Sequence, residues 1–160
     1  MKRKLFLILM LTLSANIFAQ DAMKKWQTVD FSKQKLTKTQ IAKLDNEKLQ
    51  ILRGIVFGKR GRVFKEKTIQ DYLAKQAWYK PKENFSNAVL TKTERDNLDV
   101  IRLAEAAVHD GVEPGDLRYW QTKEIPDEKL YTETSAQWRI MIAEVEAIHG
   151  RRFDNEPWLQ

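Results

Sequence analysis

The sequence predicts an all-α protein: a small helical domain of short amphipathic helices, followed by a partial helical repeat at the C-terminus. Three observations carry this. Apolar residues recur at spacings of three and four from Asn46 onward and again across the stretch that ends near His109. Helix-start chemistry stands at the right places, in Thr37-Lys38-Thr39-Gln40, at Asp45, and in Thr91-Lys92-Thr93-Glu94. Glycines close two of the helical stretches, and the two stretches match each other along the chain.

The chain opens with the basic head Met1-Lys2-Arg3-Lys4, an apolar run from Leu5 to Phe18, and the small residue Ala19 before Gln20. This is the layout of a secretory signal peptide over residues 1–19. The run is too short for the roughly 20 apolar residues that span a bilayer, so membrane contact is expected only through this segment while it is uncleaved. The predicted location is therefore periplasmic or secreted. Losing Lys2, Arg3 and Lys4 lowers the net charge from +6 to +3, so the basic balance argues weakly for polyanions, and no nucleic-acid partner is expected. With no Cys in the chain, an exported domain must rely on packing rather than disulfides, and thiol chemistry is excluded.

Residues 20–42 read as an N-terminal leader, with Trp26 and Phe31 as apolar anchors laid across the domain surface. The first long helix follows Asp45, with Leu49, Leu52 and Val56 as its stripe and Ile51 and Ile55 widening it. Gly61 is the expected left-handed stop. Lys59, Arg60 and Arg62 cluster at this helix end, where the dipole favours cations. They serve either as dipole complementation or as an anion-binding corner. Phe64 is expected to fold back onto the helix. A second helix over 66–76 puts Ile69, Tyr72 and Leu73 on one face and ends before Trp78-Tyr79-Lys80-Pro81, where Pro81 forbids helix. The two aromatics read as core closure, with the Tyr79 hydroxyl reaching water, or as a stacking platform. In the closing helix Leu98, Ile101, Val108 and the region 104–107 are expected to face inward. His109 beside Asp110 reads as a helix cap or a surface residue, and residues 110–134 as a packed connector anchored by Leu117, Tyr119, Trp120 and Leu130.

These residues resemble a known family, the YARHG domain, an exported bacterial module of poorly defined function. Phe57-Gly58-Lys59-Arg60-Gly61 stands where the family's Tyr-Ala-Arg-His-Gly would. Phe64, Tyr72-Leu73 and Trp78-Tyr79-Lys80-Pro81 match the rest, and Asn97, Leu98 and Ile101 fit its closing helix. The resemblance covers roughly residues 43–109.

The opening pattern then returns. Shifted by 89 residues, Leu49, Leu52, Val56, Gly61, Arg62 and Phe64 fall on Trp138, Met141, Val145, Gly150, Arg151 and Phe153. Residues 135–160 therefore read as a partial second repeat, preferably a truncated one, since the pattern stops before any Trp-Tyr-Lys-Pro.

No residue is assigned to catalysis and none to a metal or cofactor. There are only two histidines, His109 and His149, with no metal-ligand spacing between them. His149 takes the family's histidine position in the partial copy, but Arg60 replaces it in the fuller one. Glu144 and Glu146 read as solvated helix faces. The expected function is a non-catalytic interaction module of the cell envelope or extracellular space. Lys59, Arg60, Arg62, Trp78, Tyr79, His149 and Arg151 are its candidate contacts with a cell-wall or surface polymer or an exported partner protein. The alternative is a hydrolase or an enzyme-associated domain using His149 and a nearby carboxylate.

Overall fold

The computed structural model describes residues 23–130 and 134–153. The basic head and apolar run of residues 1–19 lie outside them, as do residues 154–160, the last part of the expected partial repeat. Every regular element among the described residues is helical: α1 (Lys38–Ile41), α2 (Asn46–Gly58), α3 (Lys67–Ala74), α4 (Lys92–Val108), α5 (Leu117–Trp120) and α6 (Ser135–Ile148). Residues 23–27 add a helical stretch, and 3₁₀ turns cover Asn87–Val89 and Asp127–Lys129.

The helices start where short polar side chains satisfy the free N–H groups of a first turn. Thr37 and Thr91 form reciprocal capping boxes with Gln40 and Glu94, and the Asp45 side chain accepts from the Lys48 N–H. α2 ends at the residue pattern expected: Gly61 has φ +93°, and the Arg62 N–H reaches back to the Phe57 carbonyl. α4 ends near His109 as expected, and His109 terminates it by turning extended.

α2 is the hub. It packs on α3 and on α4, and Leu49, Leu52, Ile55 and Val56 are buried. Each such side chain contributes about 1.5–3 kcal/mol through apolar burial. On the α3 side the interface is made of Gly54 and Gly58, which leave room for Ile69 and Leu73. On the α4 side Leu98 and Ile101 complete the core, whereas Val108, expected to face inward, is exposed, as is Ala107.

The largest departure from expectation is at the N-terminus. The leader is not laid across the surface, because Met23, Trp26, Phe31 and Leu36 all belong to the same buried cluster as α2. The reason is Asn97 on α4, itself buried. Its Nδ2 donates to the carbonyls of Phe31 at 3.1 Å and Gln34 at 2.8 Å, and its Oδ1 accepts the Leu36 N–H at 2.7 Å. A loop could enter the core only if its backbone polar groups found such partners there.

The connector is tied down too. His109 caps α4 but is buried rather than on the surface, and its Nδ1 pairs with Asp116 Oδ2 at 2.8 Å across the turn containing Pro114-Gly115. Lys129 Nζ donates to the His109 carbonyl. Gly115, at φ +102°, donates its N–H to Glu144 Oε2 on α6 at 2.7 Å. Glu144 is therefore not a solvated carboxylate, and burial pushes its pKa up.

Candidate functional site

The basic corner after α2 is a consequence of the glycine stop, which splays the cations on either side of Gly61 into different surroundings. Lys59 turns to the N-terminal segment. Its Nζ donates to the Gln27 carbonyl at 2.8 Å and lies 5.8 and 5.7 Å from the ring centres of Phe31 and Trp78. Desolvation holds its pKa below the ordinary lysine value, against the opposing charge of Asp30. Arg60 turns to α4, where Nε donates to Glu94 Oε1 at 2.8 Å. Glu94 is buried, and its Oε2 accepts the Thr91 N–H at 2.8 Å as part of the α4 capping box. A buried carboxylate needs a charged partner, so Arg60 is committed to the fold.

Arg62 is different. Its guanidinium stacks over Phe57 at 4.4 Å, Phe64 at 5.0 Å and Phe85 at 5.8 Å, and no carboxylate among the described residues pairs with it. Its backbone carbonyl accepts the Tyr79 hydroxyl at 2.9 Å, so that hydroxyl turns inward and not to water as expected. Desolvation, with a smaller contribution from Arg53, lowers the Arg62 pKa from the usual arginine value. Trp78 and Tyr79 close the core as an edge-to-face pair, ring centres 6.4 Å apart. Phe64 packs edge-on against Phe57 at 6.1 Å. The structure thus gathers Phe57, Arg62, Phe64 and Tyr79 around one corner while sending Lys59 and Arg60 elsewhere. Pro81 follows, exposed and outside any helix, the latter as expected.

The end of α6 has the same local geometry 89 residues later. Thr134 caps α6 through the Gln137 N–H as Asp45 caps α2 through that of Lys48. Gly150 has φ +93°, the value of Gly61. The Arg151 N–H bonds the Glu146 carbonyl at 3.0 Å where the Arg62 N–H bonds that of Phe57 at 3.3 Å. The Arg151 guanidinium lies 4.8 Å from the Phe153 ring centre and also pairs with Glu146.

Packing around the two helices is not the same. Met141 and Ala143 are buried like their counterparts Leu52 and Gly54. Trp138, Ile140 and Val145 are 37%, 39% and 43% exposed, whereas Leu49, Ile51 and Val56 are at most 5% exposed. Ile142 and Ile148 add to this exposed apolar surface. An open recess of about 750 Å³ lies on the side of Ile140 and Ile142, bordered also by Ala143, Arg139, Arg151 and Phe153, while Trp138, Val145 and Ile148 lie outside it. The stripe was legible as helical; that it stays uncovered was not. The available signal is that apolar residues surround most of α6, as in a helix contacted on more than one side.

His149 sits exposed at the C-cap of α6. The two nearby carboxylates have other partners: Glu144 takes the Gly115 N–H and Glu146 takes Arg151. Neither is engaged with the imidazole. The other histidine does form a carboxylate dyad, with Asp116, but the pair is buried at the junction of α4 and the connector. Among the described residues no group of three or more His, Asp or Glu side chains is arranged to hold a metal ion, and no helix is long and apolar enough to cross a membrane.

Comparison with curated proteins and with solved structures gave no match. Comparison with family models matched the YARHG domain over residues 24–106, more than half of the chain. That span runs from the N-terminal helical residues to the last turns of α4 and so includes the Phe31–Leu36 segment held by Asn97. The chain belongs to the YARHG domain family.

Proposed function

We propose that this chain is an exported, non-catalytic interaction module that docks a helix of a partner protein on the open apolar face of α6. Residues 135–160 are on this reading a partial second copy of the family unit. The observation that carries it is the exposure of Ile140 and Ile142 beside the open recess, Ile140 at a position whose counterpart Ile51 is buried. Exposed apolar surface of this kind marks interaction sites. The first copy supplies the chemistry of the occupant: Gly54 and Gly58 are covered by Ile69 and Leu73 of α3, branched aliphatics four residues apart. At the corresponding places in α6 stand two small residues, Ala143, buried at the floor of the recess, and the exposed Ala147. The occupant is an amphipathic helix with an aliphatic pair at that spacing, a familiar helix-in-groove mode.

A labelled peptide with the sequence of residues 63–81 is the probe. Its fluorescence anisotropy should rise saturably with added protein, and Ile140→Asp should weaken that binding at least about tenfold. Ile140 is exposed, so the variant folds. Absence of binding, or equal binding by the variant, sinks the docking site. Export rests on the N-terminal pattern and is tested by mass measurement of the product secreted from a bacterial host. A chain still carrying residues 1–19 would refute cleavage.

Arg62 supports a second contact, with an anionic envelope polymer. It is the one member of the basic corner without a hydrogen-bonded carboxylate or carbonyl at its cationic end, and it borders a recess of about 370 Å³ together with Lys82, Glu83 and Phe85. Arg62→Ala should reduce co-sedimentation with purified peptidoglycan; an unchanged pellet fraction eliminates this contact.

A further inference from the structure

A second recess lies away from both of these surfaces. It has a volume of about 370 Å³ and draws its walls from α1, α2, α4, α5 and the turn after α5. Its interior is aliphatic: Ile41, Leu44, Leu49, Leu103, Ala104 and Val108 all face it. This gives the outward position of Val108 and Ala107 a reason, since both border this recess instead of the core. Small-molecule sites typically occupy about 300–1,000 Å³ and combine an apolar lining with a few convergent polar groups.

The polar groups here are of one sign. Lys38 on α1, Arg118 on α5 and Lys123 beyond it border the recess, and no carboxylate among the described residues does. Arg118 reaches outward to Asp99 at 3.4 Å, an exposed pair of little strength. The Lys123 ammonium lies 3.8 Å from the Tyr119 ring centre, which holds it at the recess edge. Lys38 has no ion-pair partner among the described residues. An aliphatic interior with three cations at its border is complementary to a molecule with an alkyl tail and an anionic head.

We propose that this recess binds a single-chain anionic amphiphile, a medium-chain fatty carboxylate, with its tail against Ile41, Leu49 and Leu103 and its carboxylate between Lys38, Arg118 and Lys123. Burial of the alkyl chain supplies the affinity, and the cations select against neutral and cationic amphiphiles. Polymer docking at Arg62 and helix docking on α6 are independent of it.

The test uses the full exported chain and dodecanoate below its micelle concentration, followed by displacement of the fluorophore N-phenyl-1-naphthylamine and by calorimetry. Dodecanoate should bind saturably at one site per chain, and dodecyl maltoside should bind at least about tenfold more weakly. Lys38→Glu with Lys123→Glu should weaken dodecanoate by about tenfold or more while leaving the thermal midpoint in place. Ala107→Trp, at an exposed position bordering the recess, should block binding while the residue 63–81 peptide still binds α6. No dodecanoate binding by the wild type overturns the proposal. So does binding indifferent to both the charge reversal and Ala107→Trp. Binding to anionic phosphatidylglycerol vesicles without binding to monomeric dodecanoate also overturns it, in favour of a membrane surface.

Discussion

Ile69 is seated so closely on Gly54 that a Cβ added at residue 54 would stand 2.4 Å from the Ile69 Cγ2 atom. The contact is with the branched stem of a buried side chain, which cannot swing away. Gly54→Ala should therefore destabilise by about 1–3 kcal/mol through overpacking, despite the better helix propensity of Ala. Urea denaturation checks this, and a variant as stable as the wild type would mean that α3 shifts freely on α2.

Asn97 joins α4 to the 31–36 segment through three buried hydrogen bonds. Asn97→Ala removes both donors and the acceptor and leaves the carbonyls of Phe31 and Gln34 and the Leu36 N–H without that partner. The expected loss is about 2 kcal/mol or more, since each orphaned buried group costs about 1–3 kcal/mol. Amide exchange should accelerate at Leu36 well before it does in the middle of α2. Unaltered protection at Leu36 would contradict the lock.

The two glycine stops offer a matched comparison. Gly61 and Gly150 share φ +93°, so an alanine at either suffers left-handed strain of about 1–2 kcal/mol. At Gly61 a Cβ would also lie 2.8 Å from the Lys80 carbonyl oxygen, whereas at Gly150 nothing lies within 4 Å. Gly61→Ala should cost clearly more than Gly150→Ala in thermal melts. Equal shifts would show that only the dihedral matters.

His109 makes stability depend on pH. Its pKa is raised above 6.5, first by the hydrogen bond to Asp116, then by the charges of Asp116, Glu113 and Glu105, with desolvation opposing. A raised folded value stabilises fully below the unfolded pKa, and that contribution disappears as pH rises through the folded value. The wild type should thus exceed His109→Gln most at acidic pH, about 5.5, with the gap narrowing toward pH 8. The buried Glu144, shifted upward by desolvation, is common to the two proteins and cancels in the difference, whereas Glu105 loses the opposing charge of His109 in His109→Gln and adds to the same gap. A gap constant between those pH values would remove His109 from the balance.

Much of the candidate site was legible because its geometry is local. The Gly61 stop, the fold-back of Phe64 on Phe57 and the matching turn at Gly150 depend on residues a few positions apart. Less legible were the fates of Lys59, Arg60 and Arg62. Their charges read as one cluster, yet Lys59 bonds a carbonyl 32 residues away and Arg60 a carboxylate 34 residues away. The apolar rows on α2 and α6 look alike in sequence, but only the first has α3 and the N-terminal segment over it.

Sequence alone determined the caps at Thr37, Asp45 and Thr91, the glycine-terminated helices and the all-helical architecture, since hydrogen bonds three and four residues apart set them. Tertiary structure decided what is inside. It drew Phe31 and Leu36 into the core through Asn97, buried His109 on Asp116, and divided the basic corner among separate partners. Those outcomes depend on desolvation and on pairings between distant segments, and neither is written in the spacing of neighbouring residues.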